Sequence, residues 1–236
     1  MSDSLVIIPT YNEKENVENI IRAVFEQDSD FHILVVDDNS PDGTQDIVKN
    51  LQKEFPANLF LLTRAGKLGL GTAYIAGFKY ALERDYHFIF EMDADFSHNP
   101  KDLLRLREAC KNQADMAVGS RYCKGGRVSN WPMDRILMSY LASVYVRLVL
   151  WVPFKDATAG FICYTRKVLE NLPLDKIRFI GYAFQIEMKY RAHRKGFFVR
   201  EVPITFIDRK FGVSKMSMSI FKEAVMGVLK MKFMKL

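Results

Sequence analysis

Short apolar runs alternating with helix-length amphipathic stretches limit the fold of this chain more than any other feature. Leu5–Ile8 is an unbroken apolar run ending at Pro9. Such a run is buried on both faces, like the strands of a parallel sheet. Glu13 to Glu26 has helical spacing, and His32–Val36 is a second strand. Asp37-Asp38-Asn39-Ser40-Pro41-Asp42-Gly43 closes that strand with turn-favouring residues. Thr44 to Phe55 reads as a helix, Leu59–Thr63 as a strand, Thr72 to Arg84 as a helix and His87–Met92 as a strand. This order predicts an α/β fold: a Rossmann-like, mostly parallel sheet flanked by helices. A length of 236 residues suits one such domain with a small appendage.

Ligands of such sheets bind beyond the carboxyl ends of the strands. Polar clusters follow three of the runs: Thr10–Glu13, Asp37–Asp42 and Asp93–His98. Asp93-Ala94-Asp95 places two carboxylates on a tight turn. Mg²⁺ and Mn²⁺ are hard cations that take carboxylate oxygens and complete their shell with substrate phosphates. A nucleotide diphosphate and a divalent cation therefore suit this edge, where the metal neutralises a leaving group.

Hydrophobic residues make up 49% and charged residues 26%, which excludes a disordered chain. The net charge of +6 is unevenly spread. From Ile186 to Leu236 there are 12 Lys and Arg against 4 Asp and Glu, a surplus of eight, so the first 185 residues are net −2. The basic end suits nucleotide phosphate, lipid phosphate or an anionic membrane surface, or it is a solvated face. No nucleic-acid partner is expected. Three cysteines, with no CxxC pair, point to a reducing compartment and away from a disulfide framework or zinc site. No signal peptide is expected from MSDSLVIIPTYNE. Ile136 to Phe154 is apolar but interrupted by Arg147, too short and polar to span a bilayer. Ile136–Val152 reads as a core helix or one lying on a membrane. Val199–Phe206 reads as a strand. Phe221–Leu236 reads as an amphipathic helix whose Lys222, Lys230, Lys232 and Lys235 suit a lipid interface or a helix packed on the domain.

Further motifs occur in order. Pro9-Thr10-Tyr11-Asn12-Glu13, Ser40-Pro41-Asp42-Gly43-Thr44, Leu68-Gly69-Leu70-Gly71-Thr72-Ala73-Tyr74 and Asp93-Ala94-Asp95-Phe96-Ser97-His98 lead. Gly119-Ser120-Arg121-Tyr122, Gly181-Tyr182-Ala183-Phe184-Gln185-Ile186-Glu187-Met188, Glu201-Val202-Pro203-Ile204, Asp208-Arg209 and Gly212-Val213-Ser214-Lys215 follow. Together this set resembles the inverting glycosyltransferase family 2, whose fold is the GT-A arrangement. The Ser40-Pro41-Asp42-Gly43-Thr44 loop and the whole Leu68–Tyr74 string resemble those of dolichyl-phosphate (polyprenyl-phosphate) mannosyltransferases, in the short form without transmembrane helices. The resemblance spans about residues 5 to 220 and implies a catalytic domain over 1–220, with 221–236 a helix for membrane or partner contact.

The resemblance implies roles position by position. Pro9, Tyr11, Glu13, Val36 and Asp38 would line the nucleoside, while Asp37 reads equally as shaping its turn by capping backbone amides. Asp93, Ala94 and Asp95 would meet the donor diphosphate, with Asp93, Asp95 and Ser97 at the metal. Ser97 stands where some relatives have Gln, a longer ligand. His98 would ligate or orient the loop. Arg121, Arg135 and Ser139 would hold an acceptor lipid phosphate, for which a planar guanidinium is suited. Arg209 and Lys215 would meet the diphosphate from a loop in which Gly212 and Ser214 allow closure. The catalytic set is Asp93, Asp95 and Arg121.

Many relatives carry an acidic pair near Gln185-Ile186-Glu187, one member serving as base for a sugar hydroxyl. Here one Glu stands there. A phosphate acceptor is already ionised and needs no base. The expectation is transfer of mannose from GDP-mannose to a polyprenyl phosphate, at the cytoplasmic face of a membrane, with a possible anchoring partner. The alternatives are another sugar from a UDP-sugar, a protein- or polysaccharide-directed transferase, and a non-catalytic membrane-binding module. Leu68-Gly69-Leu70-Gly71 misses the GxGxxG spacing and follows the third strand, which argues against a dinucleotide oxidoreductase.

Overall fold

A computed structural model describes residues 2–181, 183–208 and 218–234. Seven strands form the central sheet: β1 (Ser4–Thr10), β2 (His32–Asp37), β3 (Leu59–Thr63), β4 (Phe88–Glu91), β5 (Met116–Ser120), β7 (Ile162–Thr165) and β8 (Val199–Pro203). Their spatial order is β3-β2-β1-β4-β7-β5-β8. All neighbouring pairs are parallel except those of β7, which runs antiparallel to β4 and β5. A two-stranded parallel sheet joins β6 (Arg127–Ser129) to β9 (Thr205–Ile207).

Alternate strand residues serve opposite faces. Val6, Ile8, Ile33 and Val35 pack under α1 (Val17–Phe25), α2 (Thr44–Glu54) and α4 (Asp102–Lys111). Leu5, Ile7, Leu34 and Val36 pack under α3 (Leu70–Leu82), α6 (Arg166–Asn171) and α7 (Ala183–Arg194). Each such aliphatic side chain, fully buried, contributes about 1.5–3 kcal/mol. On α3, a Cβ at Gly77 would stand 2.7 Å from Ile7 Cγ2, so the helix lies this close to β1 only with glycine there.

A third cluster joins α5 (Met133–Leu150), α7 and α8 (Met218–Lys232) through Val146, Ile186, Tyr190, Val228 and Met231. The expected α/β alternation is present, with differences of detail. α1 starts at Val17 because Glu13 to Asn16 form a hydrogen-bonded turn. α3 starts at Leu70, just after Gly69 at φ 101°. The strand expected over Val199–Phe206 is two strands. Ile204 donates its N–H to the Ser120 carbonyl between them (3.1 Å), and the chain passes into the small sheet.

Candidate active site

Three loops beyond the carboxyl ends of β1, β2 and β4 each turn through one left-handed residue other than glycine: Asn12 (φ 58°), Asn39 (φ 57°) and Phe96 (φ 60°). Asparagine tolerates that conformation, but phenylalanine adopts it at a cost of about 1–2 kcal/mol. The backbone thus stores strain in the carboxylate turn.

Asp37 is buried and organises the β2 turn. It accepts from Thr10 Oγ1 (2.7 Å), Ser40 N–H (2.8 Å), Ser40 Oγ (2.6 Å) and Gln45 Nε2 (2.8 Å). Its neighbour Asp38 faces the glycine-rich loop, accepting from Arg64 Nε (2.6 Å) and Leu68 N–H (3.2 Å). Arg64 also donates to Thr72 Oγ1 (2.7 Å). Arg64 thereby ties the ends of β2 and β3 to the start of α3 as one wall. Tyr11 is half-buried, with Lys67 Nζ 5.0 Å from its ring centre. Pro9 and Glu13 are also half-buried at the end of β1. Val36 is wholly buried between β2 and α3, its side chain part of the core.

The β4 loop carries the paired carboxylates. The Asp93 side chain is 40% exposed and Asp95 is buried. Asp93 Oδ1 accepts from Tyr74 Oη (3.3 Å), and Asp95 Oδ1 accepts the Ser97 N–H (3.1 Å). Ala94 between them is buried in the core. His98 accepts the Asp93 N–H at Nδ1 (3.2 Å) and stacks on Phe161 with ring centres 4.8 Å apart. Burial pushes its imidazole down to about 4, so it is neutral at pH 7 and shapes the turn. Among the described residues no three His, Cys, Asp or Glu side chains form a metal cage. Two carboxylates still suit Mg²⁺ or Mn²⁺, which substrate phosphates complete. Ser97 Oγ supports that fit, being buried without a hydrogen-bond partner in the described residues.

Arg121, at the end of β5, is buried and held by Asp156. Its backbone N–H (2.9 Å), Nε (2.8 Å) and Nη2 (2.7 Å) reach that carboxylate, and Nη2 also reaches Thr158 Oγ1 (2.8 Å). Trp131 and Phe206 lie within 5.6 and 5.5 Å of the guanidinium carbon. Most of its donors are thus engaged within the protein, which limits what it offers a phosphate. Arg135 on α5 is more open. It pairs with Asp208 at 3.0 and 3.1 Å and stacks on Trp131 at 4.0 Å. Ser139, one turn along α5, sits beside Tyr122. Arg209, Gly212, Ser214 and Lys215 lie outside the described residues.

A family model described as Glycosyl transferase family 2 matches residues 5–172. The chain belongs to glycosyl transferase family 2. It is 48% identical over 225 residues to the polyprenol monophosphomannose synthase of Mycolicibacterium smegmatis, covering 95% of this chain and 85% of that one. It is 45% identical over 224 residues to the undecaprenyl-phosphate mannosyltransferase of Micrococcus luteus, covering 95% and 91%. In fold it is similar to glucosyl-3-phosphoglycerate synthase from Mycobacterium tuberculosis, with a TM-score of 0.73, 13% identity and 98% and 79% coverage. It is also similar to the mannosyltransferase PcManGT from Pyrobaculum calidifontis, with a TM-score of 0.61, 16% identity and 97% and 69% coverage. The expected GT-A arrangement is therefore present.

In this glycosyltransferase Glu187 stands where a base is sought, but it is fully buried and committed to structure. Its Oε2 accepts the N–H groups of Arg178 (2.9 Å) and Phe179 (3.1 Å), and Oε1 accepts Arg191 Nε (2.8 Å). Glu187→Gln is expected to lower the melting temperature while keeping kcat within about tenfold. A base would forfeit about 10²–10⁴-fold. Such a loss of kcat at unchanged stability would contradict the structural role.

Several site residues were not singled out from the sequence of this family 2 chain. Glu91, at the end of β4, is buried between Tyr164 Oη (2.8 Å) and Gln185 Nε2. Burial raises its carboxyl to about 8 against the lowering effect of those donors. Lys189, fully buried on α7, donates to the Ala159 carbonyl (2.5 Å), and burial lowers it to about 8. Arg64 and Asp156 complete the set. A lone Arg after β3 and a lone Asp before Thr158 were the only signals available.

Proposed function

We propose that this glycosyltransferase moves mannose from GDP-mannose to a polyprenyl phosphate with inversion at the anomeric carbon. The observation that carries the reading is the commitment of Glu187, together with Arg135 standing exposed enough to meet an anion. An acceptor alcohol needs a base, whereas a phosphate needs a cation. The named activities of the two bacterial relatives agree, and PcManGT was solved with GDP-Man and Mn²⁺.

Asp93 and Asp95, with Ser97, would hold Mg²⁺ or Mn²⁺. When bound, the ion neutralises charge on the departing diphosphate. Tyr11, Asp38 and the wall fixed by Arg64 receive the nucleoside. Arg135 and Ser139, backed by Arg121, receive the acceptor phosphate, whose oxygen attacks C1 as the bond from C1 to the nucleoside diphosphate breaks. A phosphate arriving at Arg135 competes with Asp208. Arg209 and Lys215 would reach the diphosphate from the following segment.

No described helix is long and apolar enough to cross a membrane. α5 nevertheless exposes Met133, Leu137, Leu141 and Leu148 at helical spacing, followed by Trp151 (81%) at its C-cap, and α8 exposes Met226 and Leu229, followed by Phe233 just past its end. A large exposed apolar patch marks an interaction site. Lys230 and Lys232 lie in the last turn of α8, with Lys232 Nζ 5.8 Å from the Trp151 ring. We place this face on an anionic bilayer at the cytoplasmic side, with Arg135 and Ser139 on the same helix. The test is labelled nucleotide sugar with polyprenyl phosphate in anionic vesicles and Mg²⁺ or Mn²⁺. GDP-mannose should label the lipid at least about tenfold faster than UDP-glucose. The rate should fall as salt shortens screening from about 10 to about 3 Å between 0.1 and 1 M. Preference for UDP-glucose, or equal transfer to a polyprenol lacking phosphate, would overturn the assignment.

A further inference from the structure

A cavity of 910 Å³ lies between α6, the short helical turn Leu174–Lys176 and the C-terminal end of α7. It is separate from the carboxylate turn. Phe184, near the start of α7, lies against Gly71, and the Ile180 carbonyl accepts the Gly71 N–H (2.8 Å) beside the donor loops. From Ala183 to Arg194 the helix rises about 16 Å.

The charges around this cavity are unbalanced. Its acidic residues are satisfied by groups that do not line it: Glu170 by Arg166 (2.6 Å) and Asp175 by Lys79. Its basic residues Lys176, Arg178, Arg194 and Lys195 have no carboxylate within ion-pair distance among the described residues. Arg191 supplies a rigid wall. It is 4% exposed, clamped by Glu187 through Nε (2.8 Å) and Nη2 (2.7 Å), and bonded to the Lys176 carbonyl (3.2 Å). Cations at a helix C-terminus stabilise its dipole, which accounts for Arg194 and Lys195. It does not account for Lys176 and Arg178, which come from another segment and converge on the same space.

We propose that this cavity binds a phosphate-bearing anion at a second site of the enzyme. A phosphate monoester carries about −1.5 to −2 charges and accepts several hydrogen bonds, which matches four uncompensated cations better than one carboxylate does. The volume falls in the range of about 300–1,000 Å³ used for small-molecule sites, so the ligand is larger than phosphate alone. It is either a soluble phosphate monoester or a phospholipid whose headgroup is a phosphate monoester, as in phosphatidic acid.

The test uses the full chain saturated with GDP and Mg²⁺, so that the diphosphate site is filled. Glycerol phosphate is titrated calorimetrically in one arm. Phosphatidic acid vesicles, against phosphatidylcholine vesicles, are used in the other. The triple variant Arg178→Ala, Arg194→Ala, Lys195→Ala, altered only at exposed side chains, should bind about tenfold or more weakly in at least one arm. Its mannosyl transfer in detergent and its melting temperature should be retained. Loss in the first arm assigns a soluble ester, and loss in the second a lipid headgroup. If the triple variant fails to fold, Arg178→Gln alone repeats the comparison. Binding equal to wild type in both arms, or no saturable binding by wild type in either, would overturn the site.

Discussion

Asp95→Ala lowers mannosyl transfer by about 10³-fold or more and leaves the melting temperature within a few degrees of wild type. A carboxylate that holds a metal on a leaving diphosphate accounts for several kcal/mol of transition-state stabilisation, and each ~1.4 kcal/mol is tenfold in rate. The structural cost is far smaller. Among the contacts Asp95 gives up is the hydrogen bond from the Ser97 N–H, worth about 1 kcal/mol. Rate and stability therefore separate in this variant. Initial rates and a thermal melt on one preparation measure both, and a tenfold or smaller loss of rate would contradict the role given to Asp95.

Asp156→Ala behaves in the opposite way, with stability lost first. Asp156 is fully buried and is the anion facing buried Arg121. Deleting one partner of a buried pair leaves an uncompensated charge and costs about 3–5 kcal/mol. For a chain of this size that is a fall of about 10 °C in melting temperature. Transfer falls with it, because Arg121 loses the contact that fixes its plane beside Trp131, the ring on which Arg135 also stacks. Burial pushes the Asp156 carboxyl up, but the Arg121 charge and hydrogen bonds outweigh burial and hold it below its ordinary value of 3.8. A depressed carboxylate stabilises the fold fully above its unfolded value and loses that contribution as pH falls through the folded one. Wild type should therefore lose stability below about pH 3.8, and the gap between wild type and Asp156→Ala should narrow there. A constant gap across acid pH, or a melting temperature unchanged by the substitution, would remove Asp156 from this role.

The parallel strands were legible because burial on both faces leaves no polar residue in the run, as in Leu5–Ile8 and Leu34–Val36. β7 was not. Its four residues, Ile162 to Thr165, are too few to show a period, and its antiparallel direction is set by the partners Phe88–Glu91 and Met116–Val118. The split after Pro203 was hidden because the apolar pattern runs on into Ile204 and Phe206. In the site, the carboxylate turn and Tyr11 could be read because each lies within a few residues of a strand end. Arg64 and Asp38 are 26 residues apart, and Arg121 and Asp156 are 35 apart. No local spacing reports such pairs. Motif order does not say which face of a strand a side chain occupies, so the burial of the Val36 side chain was not legible.

The location of the donor diphosphate at the β4 turn is tested most directly by Mn²⁺ binding, followed by electron paramagnetic resonance with and without GDP. Wild type should take up Mn²⁺ strongly when GDP is present, and Asp95→Ala should bind the ion about tenfold or more weakly under the same conditions. Equal uptake by the two proteins would mean that the nucleotide's metal lies elsewhere.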